Sequence, residues 1–135
     1  MSGEVGHFEI PAENTERARK FYSATFGWKM NHLPEMDYTM VETGAVDENN
    51  MPKAPGYIGG GIGKRGEFFA HPVVTIVVED LAAALKKVEK NGGTTVRGKQ
   101  EIPGNMGWTA YFKDTEGNVT GLYQWPKTPA GASTR

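Results

Sequence analysis

Cysteine is absent from all 135 residues. That one absence removes disulfides, thiolate metal sites and a cysteine nucleophile, although it does not bear on the compartment. Long hydrophobic runs are missing as well. The longest aliphatic stretch, residues 73–78, has Thr75 inside it and falls far short of the roughly 20 apolar residues that a membrane-spanning helix needs. No membrane partner is expected. The N-terminus carries Glu4 early and has no apolar h-region of a secretory signal, so cytoplasmic residence is the default expectation. Charge of one sign is not in excess either. The 15 basic and 16 acidic residues are scattered and leave a net charge of −1, whereas a nucleic-acid binder shows a basic stripe or patch. No nucleic-acid partner is expected.

With 38% apolar and 23% charged residues, the chain has the composition of one soluble globular domain able to bury a core. Its most informative feature is an internal echo. Asn14 and Asp80 each open a helix-like stretch, Gly27 and Gly93 each close one, and a shift of 66 residues carries each first residue onto its partner. After Asp80 the apolar residues fall at Leu81, Ala84, Leu85 and Val88, the spacing of one buried helical stripe; after Asn14 they fall at Ala18, Phe21, Tyr22 and Phe26. Asn and Asp suit N-caps because a short side-chain oxygen can accept an orphan backbone N–H. Gly at the far end takes the left-handed conformation that closes a helix. The chain therefore reads as one βαβββ unit written twice.

The strand signals fit that order. Residues 5–10, bounded by Pro11, read as a strand before the first helix, over residues 15–25. Residues 28–33 and 36–43 make two strands around Pro34, and residues 44–56 make a long Gly-, Pro- and acid-rich loop. Residues 57–63 would be the fourth strand, although its four glycines weaken it and invite a bulge or a close ligand approach. Residues 64–72 link the halves. Residues 73–78, 94–98, 108–113 and 119–125 supply the strands of the second unit, with a hairpin turn at residues 114–118 that uses Gly117. Residues 126–135 have no periodicity and read as a disordered tail, leaving one domain over residues 1–125 with modules at about 4–63 and 73–125.

The segment His7-Phe-Glu-Ile-Pro11, then Glu16-Arg17-Ala18, and Phe21-Tyr22 running into Phe26-Gly27-Trp28, resembles the first module of the glyoxalase/bleomycin-resistance/dioxygenase family, the vicinal oxygen chelate superfamily. The second half resembles its second module through Val78-Glu-Asp80-Leu81, Asn91-Gly-Gly93, and Asp114-Thr-Glu-Gly-Asn118 followed by Gly121-Leu122. The resemblance implies an α+β fold in which two tandem βαβββ modules form a half-open eight-stranded barrel, helices outside and a ligand cavity within. It also implies a homodimer, since such sheets leave free strand edges. Within the superfamily the chain is similar to the uncharacterised bacterial branch related to lactoylglutathione lyase.

The family's metal enzymes place a His or Gln-like ligand on the first strand of each module and a Glu on the last. Carried onto this chain, the first position falls on His7, the second on Val73, the third in the glycine run of residues 59–61 and the fourth on Gly121. Val and Gly carry no donor, so the expectation is a chain with no metal and no other cofactor. His71 lies two residues before Val73 and could share its face, but Pro72 intervenes.

Glu9 shares the strand face of His7 and makes the two a candidate catalytic pair. Both open readings stand for each residue. His7 is either a remnant packing or hydrogen-bonding residue or a functional one, and Glu9 either makes an ion pair or a hydrogen bond to the neighbouring strand or serves a ligand. Met36, Tyr38 and Met40 form a one-faced set on the third strand, and Trp108 and Tyr123 stand on the last two; all five are candidate substrate-binding residues. Such stripes also fill cores, so the aromatic lining carries two readings as well. The run Gly59-Gly-Gly-Ile-Gly63 is no phosphate loop, because no helix follows it and it lacks a Gly-Lys-Ser/Thr end. His32, near a turn, reads as a solvated residue. The functional expectation is a small-molecule-handling protein, either a lyase-type enzyme or a metal-free sequestering protein of the bleomycin-resistance type.

Overall fold

A computed structural model describes residues 3–126. The elements are β1 (Val5–Ala12), α1 (Thr15–Phe26), β2 (Lys29–Leu33), a 3-10 turn (Pro34–Met36), β3 (Tyr38–Glu42) and β4 (Gly60–Lys64), then β5 (Val73–Val77), α2 (Leu81–Lys90), β6 (Thr94–Glu101), β7 (Trp108–Lys113) and β8 (Val119–Gln124). This is the βαβββ order twice over, an α+β chain of eight strands and two helices. The tail expected beyond Pro126 lies outside the described residues. Two compact units divide the chain: one is Val5–Thr75, and the other begins at Ile76 and takes in the first residues up to Glu4. The boundary therefore falls inside β5.

Within the first unit the strand order is β2-β3-β4-β1. β1 lies parallel to β4, with Glu9 opposite Gly61, while β3 runs antiparallel to β4, with Tyr38 opposite Gly63 and Met40 opposite Gly61. The second unit carries the antiparallel run β8-β7-β6, in which Tyr111 lies opposite Gly121 and Thr109 opposite Tyr123.

Both helices start as the sequence indicates. The Asn14 side chain accepts from Arg17 N at 2.9 Å and the Asp80 side chain from Ala83 N at 3.0 Å, each relieving one orphan donor of a first turn. They end differently. Gly27 closes α1 with φ 74°, whereas α2 stops at Asn91 and the left-handed residue after it is Gly92, with φ 99°. The stop expected at Gly93 thus lies one residue earlier. Gly93 instead runs close to Val88 and the Lys113 carbonyl, where a Cβ would sit 2.7 Å from each.

The helical stripes bury unequal shares. In the second unit Leu81 is fully buried with Ala110 and Leu122, and Ala84, Leu85 and Trp108 pack around them. In the first, Ala18 and Tyr22 of α1 pack with Phe8, Ile10, Trp28 and Met30 on the core of Ala12, Val41 and Ile62. Phe21 and Phe26, expected on that buried stripe, are 56% and 62% exposed. They take part in an aromatic cluster around Tyr22, whose ring stacks on Trp28 at 4.9 Å.

Several strand limits move. β1 continues through Pro11, which stands opposite Gly63, to Ala12. β4 begins at Gly60 rather than residue 57, and β6 runs on to Glu101 with two register shifts. Met36 is not on β3. Asp37 adopts φ 49°, which ends the 3-10 turn and separates Met36 from the strand that carries Tyr38 and Met40.

Truncating Leu81 to alanine removes a fully buried side chain and is expected to cost about 2–5 kcal/mol, against about 1 kcal/mol for loss of the neighbouring cap in Asp80→Ala. Urea unfolding of the two variants checks the order; a larger loss for the cap would contradict the assignment of Leu81 to the core.

Candidate functional site

Strand alternation puts His7, Glu9 and Pro11 on the face of β1 opposite Phe8 and Ile10, and the latter pack towards α1. Glu9 is 8% exposed. A carboxylate that deep needs donors, and the sequence offered a cation, a hydrogen bond from the neighbouring strand or a ligand as the source. The structure supplies a phenol. The Tyr38 hydroxyl donates to Glu9 Oε2 at 2.7 Å, and His7 Nε2 lies 3.1 Å from the same hydroxyl oxygen. His7, Tyr38 and Glu9 thus form one hydrogen-bonded chain within the first unit.

Distance makes this contact unusual. Tyr38 is on β3 and Glu9 on β1, with β4 between them. The ring can cross because β4 presents glycine beneath it: a Cβ on Gly61 would stand 1.8 Å from the Tyr38 hydroxyl oxygen. Gly63 lies under the same ring and beside Phe69, with a Cβ there 3.2 Å from each. On the helix side Gly60 makes room for Phe8 in the same way. The glycine run, read in the sequence as a place for a bulge or a ligand, is approached instead by aromatic rings of this chain.

Burial holds the His7 imidazole below its ordinary value, an effect that the nearby Glu9 carboxylate partly opposes. The ring is therefore neutral at pH 7.

The other candidates fall elsewhere. Met40, 37% exposed, shares the Tyr38 face of β3, whereas Met36 stands in the 3-10 turn. Trp108 and Tyr123 belong to the second unit. The Trp108 ring packs on the Leu81 core with Lys99 Nζ 5.1 Å from its centroid. Tyr123 donates its hydroxyl to the Met106 carbonyl at 2.5 Å and meets Trp125 edge to face at 5.2 Å. His71 is exposed in the bend before β5. His32, read as solvated, does have partners: its Nδ1 is 3.1 Å from Thr39 Oγ1 and 3.5 Å from an Arg19 guanidinium nitrogen.

Two residues escaped the sequence reading. Phe69 lay in what read as a linker, and only the adjacent pair Phe68-Phe69 hinted at a packed role. Tyr111 is buried and opposite Gly121, so in each unit a tyrosine of the third strand stands opposite a glycine of the fourth. Alternation from the buried Ala110 would have placed Tyr111 on the face away from α2.

A metal of the family's kind does not fit these residues. Val73 and Gly121 have no donor, Gly61 has none, and His7 Nε2 is engaged by Tyr38. Among the described residues no group of three or more His, Asp or Glu side chains is gathered to hold an ion. Two open clefts of the first unit lie away from this chain of groups; the larger of the two, about 310 Å³, is lined by Gly27, Lys29 and residues 42–46.

Comparison with known proteins now settles the family. A glyoxylase-like domain-containing protein from Didymella fabae is 33% identical over 132 residues, covering 93% of this chain and 97% of that protein. The chain belongs to the glyoxalase-like, vicinal oxygen chelate family. Residues 5–44 also match the family described as bleomycin resistance protein-like N-terminal. Among solved structures, a hypothetical protein from Bacillus halodurans superposes with a TM-score of 0.63 at 12% identity, covering 99% of this chain and all of that one. A variant of the methylmalonyl-CoA epimerase of Streptomyces coelicolor gives 0.64 at 12% identity over 93% and 99% of the two chains. The Mycobacterium tuberculosis enzyme of that name gives 0.62 at 14% identity over 96% and 92%. At these identities the structural likeness carries the fold alone. Among the described residues no helix is long and apolar enough to cross a membrane.

Gly61→Ala is expected to destabilise by about 1–3 kcal/mol, because its methyl collides with the Tyr38 phenol. Gly66→Ala, where an added Cβ meets nothing within 4 Å, serves as the control and should stay within about 0.5 kcal/mol of wild type. Chemical denaturation of both checks the pair; equal stabilities would remove the crossing of β4 as a structural constraint.

Proposed function

We propose that this chain binds a small, largely apolar molecule without a resident metal, the His7–Tyr38–Glu9 chain forming the polar wall of its site. The observation that carries the reading is that chain itself: three polar side chains from two strands converge on the sheet face opposite α1, beside Phe69 and Met40. Apolar surroundings with a few convergent polar groups are the usual make-up of a small-molecule site. The missing donors at Val73, Gly121 and Gly61 favour sequestration over metal-assisted lyase chemistry. Homodimerisation and cytoplasmic residence are part of the same proposal; sedimentation at micromolar concentration addresses the first.

A second reading has its own support. A buried, neutral imidazole beside a carboxylate can accept a proton from a substrate, so His7 with Glu9 could serve acid–base turnover without a metal.

A thermal-shift screen of aldehydes, glutathione adducts and planar drugs first finds a binder. Glu9→Gln then separates scaffold from site: the amide oxygen can still accept from Tyr38 while the charge is gone. A ligand role predicts a nearly unchanged melting temperature and roughly ten- to hundredfold weaker binding, the equivalent of about 1.5–3 kcal/mol for a charged hydrogen bond. Unchanged affinity with a large loss of stability would return Glu9 to the scaffold. Elemental analysis of untagged protein, purified without added metal, should find well under one equivalent of zinc, nickel, manganese or iron; about one equivalent would defeat the metal-free reading.

A further inference from the structure

The hydroxyl of Tyr38 has one proton. It is spent on Glu9, at 2.7 Å, so the contact of His7 Nε2 with the same oxygen, at 3.1 Å, requires the imidazole to donate. The proton of the neutral ring therefore belongs on Nε2. Nδ1 is left with a lone pair and makes no hydrogen bond to any described residue. We propose that Tyr38 is a positioning residue that fixes His7 as the Nε2–H tautomer, so that the site offers the Nδ1 lone pair to a hydroxyl or N–H of the bound small molecule.

The chemistry of the ligand follows from the order of donors along the chain. His7 donates to Tyr38, Tyr38 donates to Glu9, and the direction is set by the carboxylate, which accepts. Reversing it would need Glu9 to carry the proton and donate to the phenol, leaving Nε2 to accept. As long as the direction holds, Nδ1 can only accept, and a ligand bearing a donor at that point is favoured over its alkylated analogue. An analogue that cannot donate leaves the imidazole lone pair unmatched, which is the larger penalty in a dry site. Gly61 is part of the device. With any side chain at that position the phenol could not lie between the two residues.

The ligand half of this inference rests on the proposed binding function, whereas the tautomer half does not, and the test keeps them apart. Long-range proton–nitrogen NMR on uniformly 15N-labelled protein at neutral pH reads the protonation of each ring nitrogen, with His7→Gln assigning the His7 signals among the three histidines. Wild type should show a pyrrole-like Nε2 and a pyridine-like Nδ1. In Tyr38→Phe the two shifts should move towards each other as both tautomers become populated, and Gly61→Ala, which displaces the phenol without removing it, should do the same. A wild-type His7 protonated on Nδ1, or on both nitrogens, overturns the proposal. So does a Tyr38→Phe protein, folded by circular dichroism, whose His7 shifts are unchanged. Titration with 2-naphthol should then move the Nδ1 signal, and 2-methoxynaphthalene should leave it in place. Equal responses to the two probes, or none to 2-naphthol, overturn the claim about the ligand while the wild-type tautomer still reports on Tyr38.

Discussion

The first unit depends on a strand that has given up its side chains. β4 is buried along Gly60, Gly61, Ile62 and Gly63, yet only Ile62 fills space of its own. The rest of the volume is supplied by neighbours: Phe8 over Gly60, and Tyr38 with Phe69 over Gly61 and Gly63. Glycine in a strand forfeits side-chain packing and costs backbone entropy, about 0.5–1 kcal/mol per residue relative to alanine. Here the cost is offset by rings that could not otherwise cross from one strand to the next but one. The buried Glu9 carboxylate is tolerable for the same reason, since its donor arrives along that path.

This arrangement also shows how the family's fold is held together in a chain with no donor side chain at Val73, at Gly121 or in the glycine run of residues 59–61. In a metal centre of the family's kind a carboxylate on the last strand of a module would project from the sheet to meet a His on the first. Gly61 has no side chain, and the phenol of Tyr38 from the adjacent strand lies over it against His7 and Glu9. β4 pairs Gly61 with Glu9 on one side and with Met40 on the other, and this face carries a network of hydrogen bonds.

What the sequence made legible was whatever is local. The caps at Asn14 and Asp80, the stripe of Leu81, Ala84 and Leu85, and the pairing of His7 with Glu9 on one face all depend on residues a few positions apart. The helix stop at Gly92 rather than Gly93 is a local matter too, but the 66-residue shift pointed to the wrong member of a Gly-Gly pair. The exposure of Phe21 and Phe26 was not legible, because a stripe of correct period does not say how much of it the sheet covers. Met36 was misplaced because a 3-10 turn with Asp37 in the left-handed region has no periodic signature.

The Tyr38–Glu9 contact was hidden for a different reason. It joins residues 29 apart through a strand that lies later in the chain than either of them, since β4 enters between β3 and β1 and runs parallel to β1. Nothing in the spacing of Glu9 and Tyr38 announces it. The only trace in the sequence is indirect: a strand with several glycines, next in the sheet to one that carries a tyrosine. Tyr111 opposite Gly121 repeats the pairing of a tyrosine with a glycine in the second unit, where Tyr111 is buried on the face away from the helix and Tyr38 is half-buried. The registers are not equivalent in detail, since Tyr38 stands opposite Gly63 while its ring reaches over Gly61. In the first unit that close approach carries the phenol to Glu9 and His7, so the glycines of β4 and the polar chain on its face depend on one another.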